Sequence, residues 1–345
     1  AAHGSREMTF DLDFLGEGTW YADIYYDSMS SAAQIRRQVK QVTSADQLEA
    51  QIRSGGGYVV RLTQDEIHYE TAGKVFEIST AEDLDLIREH PDADFNVTAD
   101  IQLTGEFEPI PTLNGTLNGN GHTISGLTVT SMDAAAAFIL QNNGTIRQLG
   151  LTNVYMEGPY TADNSWRAAL CQRNYGIIEE CYALGTITGG HRNGGLVSEN
   201  YNTIRNCYFM GDLESNYETG GITSFNHNGS ATVENCYAAG DYVSRNNNMG
   251  FISGYAYSGT RMIGNVALSG SLQGNNNLAR ICGRNNGVNE GTTYQNNLAC
   301  ADITVNGQSV NDGAANNKNG QNKSADELKQ QSTYEDIGWD FTNVW

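Results

Sequence analysis

Apolar and acidic residues alternate with period two at the front of the chain. Phe10, Leu12 and Phe14 are separated by aspartates, and similar strand-like runs follow at residues 20–26, 48–52 and 58–62. Such alternation is typical of half-buried β-strands, because successive side chains of a strand point to opposite faces. Gly16 and Gly18 separate one pair of runs, and three glycines at residues 55–57 separate another. The pattern predicts an antiparallel β segment with hairpins at both glycine clusters.

One sequence element recurs along the rest of the chain. Four copies read IEECYALG, IRNCYFMG, VENCYAAG and IGNVALSG, at residues 178–185, 204–211, 233–240 and 263–270. A shorter element precedes each copy, at residues 169–171, 195–197, 221–223 and 250–252, and occurs again at 280–282. Both elements recur every 26 to 30 residues and stay in step while the intervening loops vary. Equivalent residues are therefore predicted to stack coil upon coil.

The repeat predicts an all-β fold class. We expect a right-handed, single-stranded parallel β-helix (a solenoid) of roughly six to eight coils, with a small N-terminal antiparallel β segment and short capping helices. Capping boxes at residues 79–82 and 324–327 predict those helices. In this scheme residues 1–8 are a vector-derived scar, 9–63 a partial β-sandwich, 64–78 a linker and 79–345 the β-helix.

Three columns of like residues are expected along the solenoid. Asparagine at a corner of each coil is predicted to adopt a left-handed conformation, at Asn206, Asn235, Asn265 and Asn296. A second column is expected to form side-chain hydrogen bonds between coils, at Asn142, Asn174, Asn200, Asn226 and Asn285. Cysteines are predicted to point inward as free thiols, at Cys181, Cys207 and Cys236, with Val266 as the next rung.

Composition and charge exclude several function classes. The chain has 39 glycines and 18 tyrosines in 345 residues, which favours tight turns and β structure. Its net charge of -20 would repel a phosphate backbone, so we expect no nucleic-acid partner. It has no apolar run long enough to predict a membrane span. No CxxC pair accompanies the six cysteines, which argues against a metal site built on them.

The front of the chain resembles the C-terminal β-sandwich of glycoside hydrolase family 97. The likeness lies in FLGEGTWYADIYYD at residues 14–27, VTSADQL at 42–48 and GGGYVVRL at 55–62, and covers about residues 9–63. In that family the catalytic carboxylates and the calcium site lie in an upstream barrel. The resemblance therefore implies an accessory part of a glycosidase and assigns no catalytic residue to this chain.

The repeats resemble the GLUG-motif repeat, over about residues 75–345. This repeat is named for a Gly-Leu-x-Gly core and occurs in large bacterial surface proteins and in the β-helices of IgA-protease-like chains. The resemblance implies a bacterial protein at the cell surface or outside the cell.

Two groups of residues are candidates for ligand binding. If the cysteines point inward, Tyr182, Tyr208 and Tyr237 beside them form an outward aromatic stack, which could hold a sugar or pack against another surface. Loops that precede the shorter element should emerge on one edge of the solenoid. Among the residues these loops carry are Trp166, Arg192 and Tyr217. Such a mixture also suits a sugar, although exposed loops carry these residue types for other reasons.

One carboxylate pair is a candidate for chemistry. Asp212 and Asp241 follow the glycine of the repeat in adjacent coils and should lie close together. Two close carboxylates could bind calcium or act as an acid/base pair, or could simply form a solvated face. We expect no other cofactor.

We therefore expect a non-catalytic accessory module of a larger secreted or surface bacterial glycoside hydrolase. Its expected partner is a glycan or polysaccharide. One alternative is a structural or adhesive stalk that forms a homo-oligomer or packs against a partner domain of the same protein. A second alternative is a β-helix polysaccharide hydrolase or lyase.

Overall fold

The computed structural model describes residues 5–26, 38–44, 47–53, 58–64, 74–130, 136–160, 165–227, 229, 231–285 and 291–345. The chain divides into two compact units, residues 1–72 and residues 73–345.

The first unit consists of five strands in two antiparallel sheets. The strands are Ser5–Asp11, Trp20–Tyr26, Gln38–Val42, Gln47–Arg53 and Tyr58–Thr63. The first strand pairs with the fourth, and the second lies between the third and the fifth. Both predicted hairpins are therefore wrong, because the strands on either side of each glycine cluster belong to different sheets.

The first strand begins inside the segment predicted to be vector-derived. Ser5 pairs with Arg53 and Met8 with Ala50, so residues 5–8 form part of a sheet. Whether these residues are vector-derived stays a prediction, since strand pairing does not depend on their origin.

The second unit is a parallel β-helix, as predicted. Each coil contributes short strands to stacked sheets, which we number in the order the chain visits them within a coil. Sheet 1 contains Val75–Ile78, Asp94–Val97, Thr116–Asn118, Thr145–Arg147, Ile177–Glu179, Thr203–Arg205, Thr232–Glu234, Arg261–Ile263 and Thr293–Gln295. Sheet 2 contains Ile101–Gln102, Thr123–Ser125, Thr128–Val129, Gly150–Met156, Tyr182–Thr188, Tyr208–Ser215, Tyr237–Ser244, Val266–Gln273, Leu298–Cys300, Thr304–Val305, Gln308–Ser309 and Gln321–Lys323.

Two further sheets complete the coil. Sheet 3 contains Trp166–Ala168, Arg192–Gly194, Thr219–Gly220, Asn247–Gly250 and Asn276–Leu278. Sheet 4 contains Ile110–Leu113, Ile139–Asn142, Cys171–Asn174, Val197–Asn200, Thr223–Asn226, Ser253–Ala256 and Cys282–Asn285. Sheet 3 occupies positions that the sequence had indicated as loops.

The register confirms that the repeats stack. Ile178 lies over Ile204, which lies over Val233, and all three are fully buried. The last copy is displaced by one residue: Tyr237 pairs with Val266, so Cys236 is followed by Asn265 and not by Val266. The buried amide of Asn265 accepts a hydrogen bond from the backbone of Cys236 at 3.0 Å. The cysteine column therefore continues into a buried polar position.

The two asparagine columns are largely as predicted. Asn206, Asn235 and Asn296 have φ of 55°, 51° and 57°, whereas the fourth corner is formed by Gly264 and not by Asn265. In the second column the amides of consecutive coils are joined by hydrogen bonds of 2.8, 3.0 and 2.9 Å, through Asn142, Asn174, Asn200 and Asn226. Ala256 then interrupts this column before Asn285.

Short helices lie near both ends of the solenoid. A 3-10 turn at Glu82–Leu84 leads into the helix Asp85–Glu89, and Leu84 and Ile87 join the hydrophobic core. Its capping box is formed by Thr80 and Asp83, one residue later than predicted. The strand Val75–Ile78 falls in the predicted linker but forms the first rung of sheet 1.

The predicted C-terminal capping box is present. The Ser324 hydroxyl and the Glu327 carboxylate each bond the other residue's backbone N–H, at 3.2 and 2.8 Å. A 3-10 turn at Glu327–Lys329 follows, and then the helix Gln331–Glu335.

Cys181, Cys207 and Cys236 are buried free thiols, as predicted, and the other three cysteines are buried free thiols as well. Burial raises the pKa of Cys171 to about 12 and that of Cys282 to about 11. Burial also raises the pKa of Cys181 and Cys207 well above the ordinary value. These four thiols stay protonated near neutral pH, which suits a packing role in the core.

Candidate functional site

The three tyrosines of sheet 2 form a continuous stack along the solenoid. The ring centroids of Tyr182 and Tyr208 lie 4.8 Å apart and those of Tyr208 and Tyr237 lie 4.6 Å apart, with interplanar angles of 1° and 8°. We call these three residues the tyrosine stack. The ring of Tyr182 lies over Gly150 of the preceding coil, where a Cβ atom would come within 2.3 Å of the ring. Tyr237 also packs against Trp339 and Trp345 of the C-terminal segment.

This packing covers the ring faces of the tyrosine stack. A sugar binds an aromatic residue by laying its C–H face on the ring, which requires a free ring face. In the tyrosine stack each ring lies between the neighbouring coils, so edges and hydroxyl groups are left for other contacts. The geometry therefore favours a packing role for these residues.

A second group of side chains converges where sheet 3 meets sheet 4. The chain bends sharply between the strands Arg192–Gly194 and Val197–Asn200. A Cβ atom at Gly194 would lie 1.7 Å from the carbonyl oxygen of Val197, and the same contact recurs between Gly220 and Thr223 at 2.1 Å. A side chain at Gly194 or Gly220 would therefore collide with the backbone. The bend brings Arg192 and Glu199 into contact outside the hydrophobic core, although they are seven residues apart.

We define the corner site as the seven residues that contact one another at this bend. They are Trp166, Arg173, Arg192, Glu199, Glu218, Phe225 and His227. They come from consecutive coils and from both sheets, so only the stacked fold brings them together.

Glu199 is the centre of the corner site. Its carboxylate accepts hydrogen bonds from Arg173 Nε and Arg192 Nη1, each at 3.2 Å, and lies 3.3 Å from His227 Nε2. The residue is only 2 % exposed. Burial alone would raise the pKa of Glu199, but the hydrogen bond from His227 and the charges of His227, Arg173 and Arg192 outweigh burial and hold that pKa below its ordinary value. Glu199 is thus a buried, charged anchor for the groups around it.

Glu218 is the second carboxylate of the corner site. It accepts hydrogen bonds from Arg192 Nε and from Asn248 Nδ2, both at 3.1 Å. His191 Nε2 lies 3.9 Å away, and the His191 ring packs against Tyr217 at 4.6 Å. Arg192 therefore bridges two buried carboxylates, which fixes the direction of its guanidinium plane.

Aromatic rings enclose the arginines. The guanidinium of Arg192 lies 5.3 Å from the Trp166 ring centroid and 4.7 Å from that of Phe225. Arg173 lies 4.9 Å from Trp166. Guanidinium groups at these distances are attracted to the ring faces. The structure thus brings together Trp166 and Arg192 from the predicted set, while Tyr217, which directly precedes Glu218 in the chain, packs against His191.

Sequence reasoning missed Arg173, Glu199, Glu218, Phe225 and His227. A signal was present for most of them, because the residue before each position of the second asparagine column forms its own column. That column begins at Gln141, and its last five positions, which we call the sheet 4 column, are Arg173, Glu199, Phe225, Tyr255 and Arg284 in successive coils. A column of charged and aromatic residues beside a structural column indicates a surface with a functional role.

The two aspartates of the predicted carboxylate pair lie next to each other in adjacent coils. Asp241 N–H donates to Asp212 at 3.0 Å, and the Ser271 hydroxyl donates to Asp241 at 2.7 Å. Both aspartates are exposed. Across the described residues, no group of three or more His, Cys, Asp or Glu side chains is arranged to hold a metal ion. The described helices include none that is long and apolar enough to cross a membrane.

Comparison with known families places the front of the chain. Residues 2–63 match the family model described as glycosyl-hydrolase 97 C-terminal, oligomerisation. This agrees with the resemblance found in the sequence and extends it toward the N-terminus. The match covers a minor part of the chain and coincides with the first unit.

The β-helix is similar to other solved structures. A chain from Bacteroides ovatus, described provisionally as an immunoglobulin A1 protease, aligns with a TM-score of 0.59 and 19 % identity over 77 % of this chain and 89 % of that one. A structure described as IgA1 protease aligns with a TM-score of 0.49 and 14 % identity, over 83 % of this chain and 22 % of that one. The first likeness, at this identity, shows the fold alone.

One curated relative shares part of the sequence. Halomucin from Haloquadratum walsbyi is 39 % identical over 101 residues, which are 27 % of this chain and 1 % of that protein. The chain thus spans a very small part of this relative's length.

Proposed function

We propose that this chain is a carbohydrate-binding accessory module of a larger secreted or surface-attached glycoside hydrolase, and that the corner site holds the sugar. The observation that carries the proposal is the convergence of Trp166 and Arg192 from adjacent coils above two buried carboxylates. Sugar sites combine aromatic side chains with a few fixed polar groups. In the corner site Trp166 supports the guanidinium groups of Arg173 and Arg192, whose remaining N–H groups can donate to sugar oxygens.

The surroundings of the site support this role. The match of residues 2–63 to a C-terminal domain of glycosidases supplies the enzymatic context. The free thiols and the exposed aspartate pair offer no arrangement for catalysis, so binding is the function that the described geometry supports best. We place the module outside the cell, where polysaccharide substrates occur.

A glycan array tests this proposal through Trp166. We expect the unmodified chain to bind a subset of glycans and Trp166→Ala to lose at least tenfold in affinity, about 1.4 kcal/mol, because Trp166 holds the guanidinium groups of Arg173 and Arg192 in place. Tyr155→Ala is the matched control, since this aromatic side chain is 44 % exposed on sheet 2 outside the corner site. An array without signal above background, or equal loss in both variants, would contradict the proposal.

A second candidate function is oligomerisation through the front unit. The description of the matched family model names oligomerisation, which is the specific observation in its favour. Light scattering across a range of protein concentrations tests it on the whole chain, whose mass is 37.5 kDa. A stable mass of twice that value is expected if the front unit associates. A monomer at every concentration would rule this function out for the isolated chain.

A further inference from the structure

Charges in the corner site are layered by depth. The carboxylate side chains of Glu199 and Glu218 are 3 % and 10 % exposed, whereas the guanidinium side chains of Arg173 and Arg192 are 28 % and 22 % exposed. The negative groups therefore lie beneath the positive ones. A ligand that approaches the corner site meets guanidinium edges first, while the carboxylates hold these groups in place from below.

The arginines keep donors for a ligand. Arg173 uses only its Nε atom toward Glu199, and its two terminal nitrogens have no hydrogen-bond partner within the described part of the chain. Arg192 uses Nε and Nη1, which leaves Nη2 without a partner among the same residues. Guanidinium groups bind carboxylate and sulfate oxygens well because their planar forks donate two parallel hydrogen bonds.

The sheet 4 column extends this surface along the solenoid. Arg173 stands at one end and Arg284 at the other, four coils away, which is about 19 Å at a rung spacing of ~4.8 Å. Arg284 is exposed and lies 5.3 Å from the Tyr255 ring, which itself stacks on Phe225 at 4.7 Å. The column thus has positive groups at both ends and aromatic residues between them.

The balance of charges at this surface is opposite in sign to the net charge of the whole chain. The corner site and its column contain three arginines and two carboxylates, and two histidines lie beside them, in a chain with a net charge of -20. Buried ion pairs are often no more stabilising than well-packed apolar residues of similar volume, so stability alone does not explain buried carboxylates beneath part-exposed guanidinium groups.

We infer that the ligand of the corner site is an anionic oligosaccharide, whose carboxylate or sulfate groups bind Arg173, Arg192 and Arg284. This inference rests on the proposed carbohydrate-binding function and narrows it to one chemical class. The span of the column suits an oligosaccharide that carries repeated negative charges, and a single sugar would reach only one end.

Isothermal titration with the whole chain tests the inference. The probes are oligogalacturonate, the same oligomer with its carboxyl groups reduced to alcohols, a sulfated glycosaminoglycan oligomer, a neutral gluco-oligosaccharide and poly-glutamate of matched charge. We expect binding to one or both anionic glycans, at least tenfold weaker binding to the uncharged probes, and weaker binding as salt is raised. Preference for the uronate assigns carboxylate recognition, and preference for the sulfated oligomer assigns sulfate recognition; either supports the inference.

Substitutions of single arginines test which of them bind the anionic groups of the glycan. Arg284→Gln changes an exposed residue, which leaves the fold intact, and is expected to weaken binding of the anionic glycan several-fold without changing any binding of the neutral one. Arg173→Gln should weaken binding of the anionic glycan more strongly, because Arg173 belongs to the corner site itself. Arg245→Gln is the control, because this arginine is 51 % exposed and pairs with Glu214 away from the corner site.

Each contradicting result would overturn a different part of the proposal. Equal binding of oligogalacturonate and its reduced form would overturn the anionic ligand and leave carbohydrate binding intact. Poly-glutamate binding as tight as that of the glycans would show charge attraction alone and overturn the inference. No binding of any glycan would overturn both the inference and the proposed function.

Discussion

Replacing Gly240 by alanine is expected to destabilise the β-helix by about 3–5 kcal/mol. Gly240 has a φ of 141° and lies directly over Gly211, so that an added Cβ atom would come within 1.7 Å of the Gly211 carbonyl oxygen. The contact is with backbone, which cannot move aside without breaking the ladder of sheet 2. Gly185, Gly211 and Gly270 form the same column, and each except the first would meet the carbonyl of the glycine before it.

The control for this variant is Gly121→Ala. Gly121 also has a positive φ, 81°, but nothing lies within 4 Å of the place that a Cβ atom would take. Urea unfolding followed by circular dichroism should therefore show a loss of only about 1 kcal/mol for Gly121→Ala. Equal midpoints for Gly240→Ala and the unmodified chain would mean that the coils are not stacked as described.

Glu199→Gln is expected to cost about 2–3 kcal/mol at pH 7, because it removes the charge that pairs Arg173, Arg192 and His227. Since the pKa of Glu199 is lowered in the folded state, its charge stabilises the protein above the ordinary value of 4.5. That stabilisation is lost as the pH falls through the lowered pKa. The difference between the two proteins should therefore shrink below about pH 4.5.

Glu214→Gln is the matched control for the buried carboxylate. Glu214 pairs with Arg245 at 3.0 Å, but its side chain is 35 % exposed, so the loss should stay below about 1 kcal/mol. Urea midpoints of both variants at several pH values measure the comparison. If Glu199→Gln were no more costly than Glu214→Gln, the corner site would not be the fixed, buried network described above.

The solenoid could be predicted because the residues that repeat along the sequence are those that face the core. Residues similar to Ile204 and Cys207 recur in the other coils at nearly constant spacing, since every coil must fill the same interior with similar side chains. The one-residue displacement at Asn265 could not be predicted, because IGNVALSG matches the other copies well by residue type alone. Its register depends on Met262, which replaces Val233 in the core.

Pairing in the front unit was harder to predict. Alternation located the strands near residues 20–26, 48–52 and 58–62, but it missed Gln38–Val42 and does not say which strand lies beside which. Glycines between two strands suit a hairpin and a link between two sheets equally well. The strand Trp20–Tyr26 pairs with Gln38–Val42 and Tyr58–Thr63, and no local signal in the sequence distinguishes these partners.

The corner site shows a different kind of limit. Trp166 and Arg192 could be proposed from residue type, but their meeting with Glu199 depends on the angle of the bend at Gly194. The sequence shows where the glycine lies, but it does not show the angle at which the chain bends there. The tyrosine stack had the opposite outcome: its residues were located correctly, while the stacking that covers their ring faces follows from the spacing between coils.

The most direct test of where this protein binds is a crystal structure of the whole chain soaked with the tightest-binding oligosaccharide from the titrations. We expect density for the sugar beside Trp166 and Arg192, with an anionic group in contact with Arg173 or Arg192. Density over Tyr182, Tyr208 and Tyr237, with the bend between sheets 3 and 4 left empty, would contradict it.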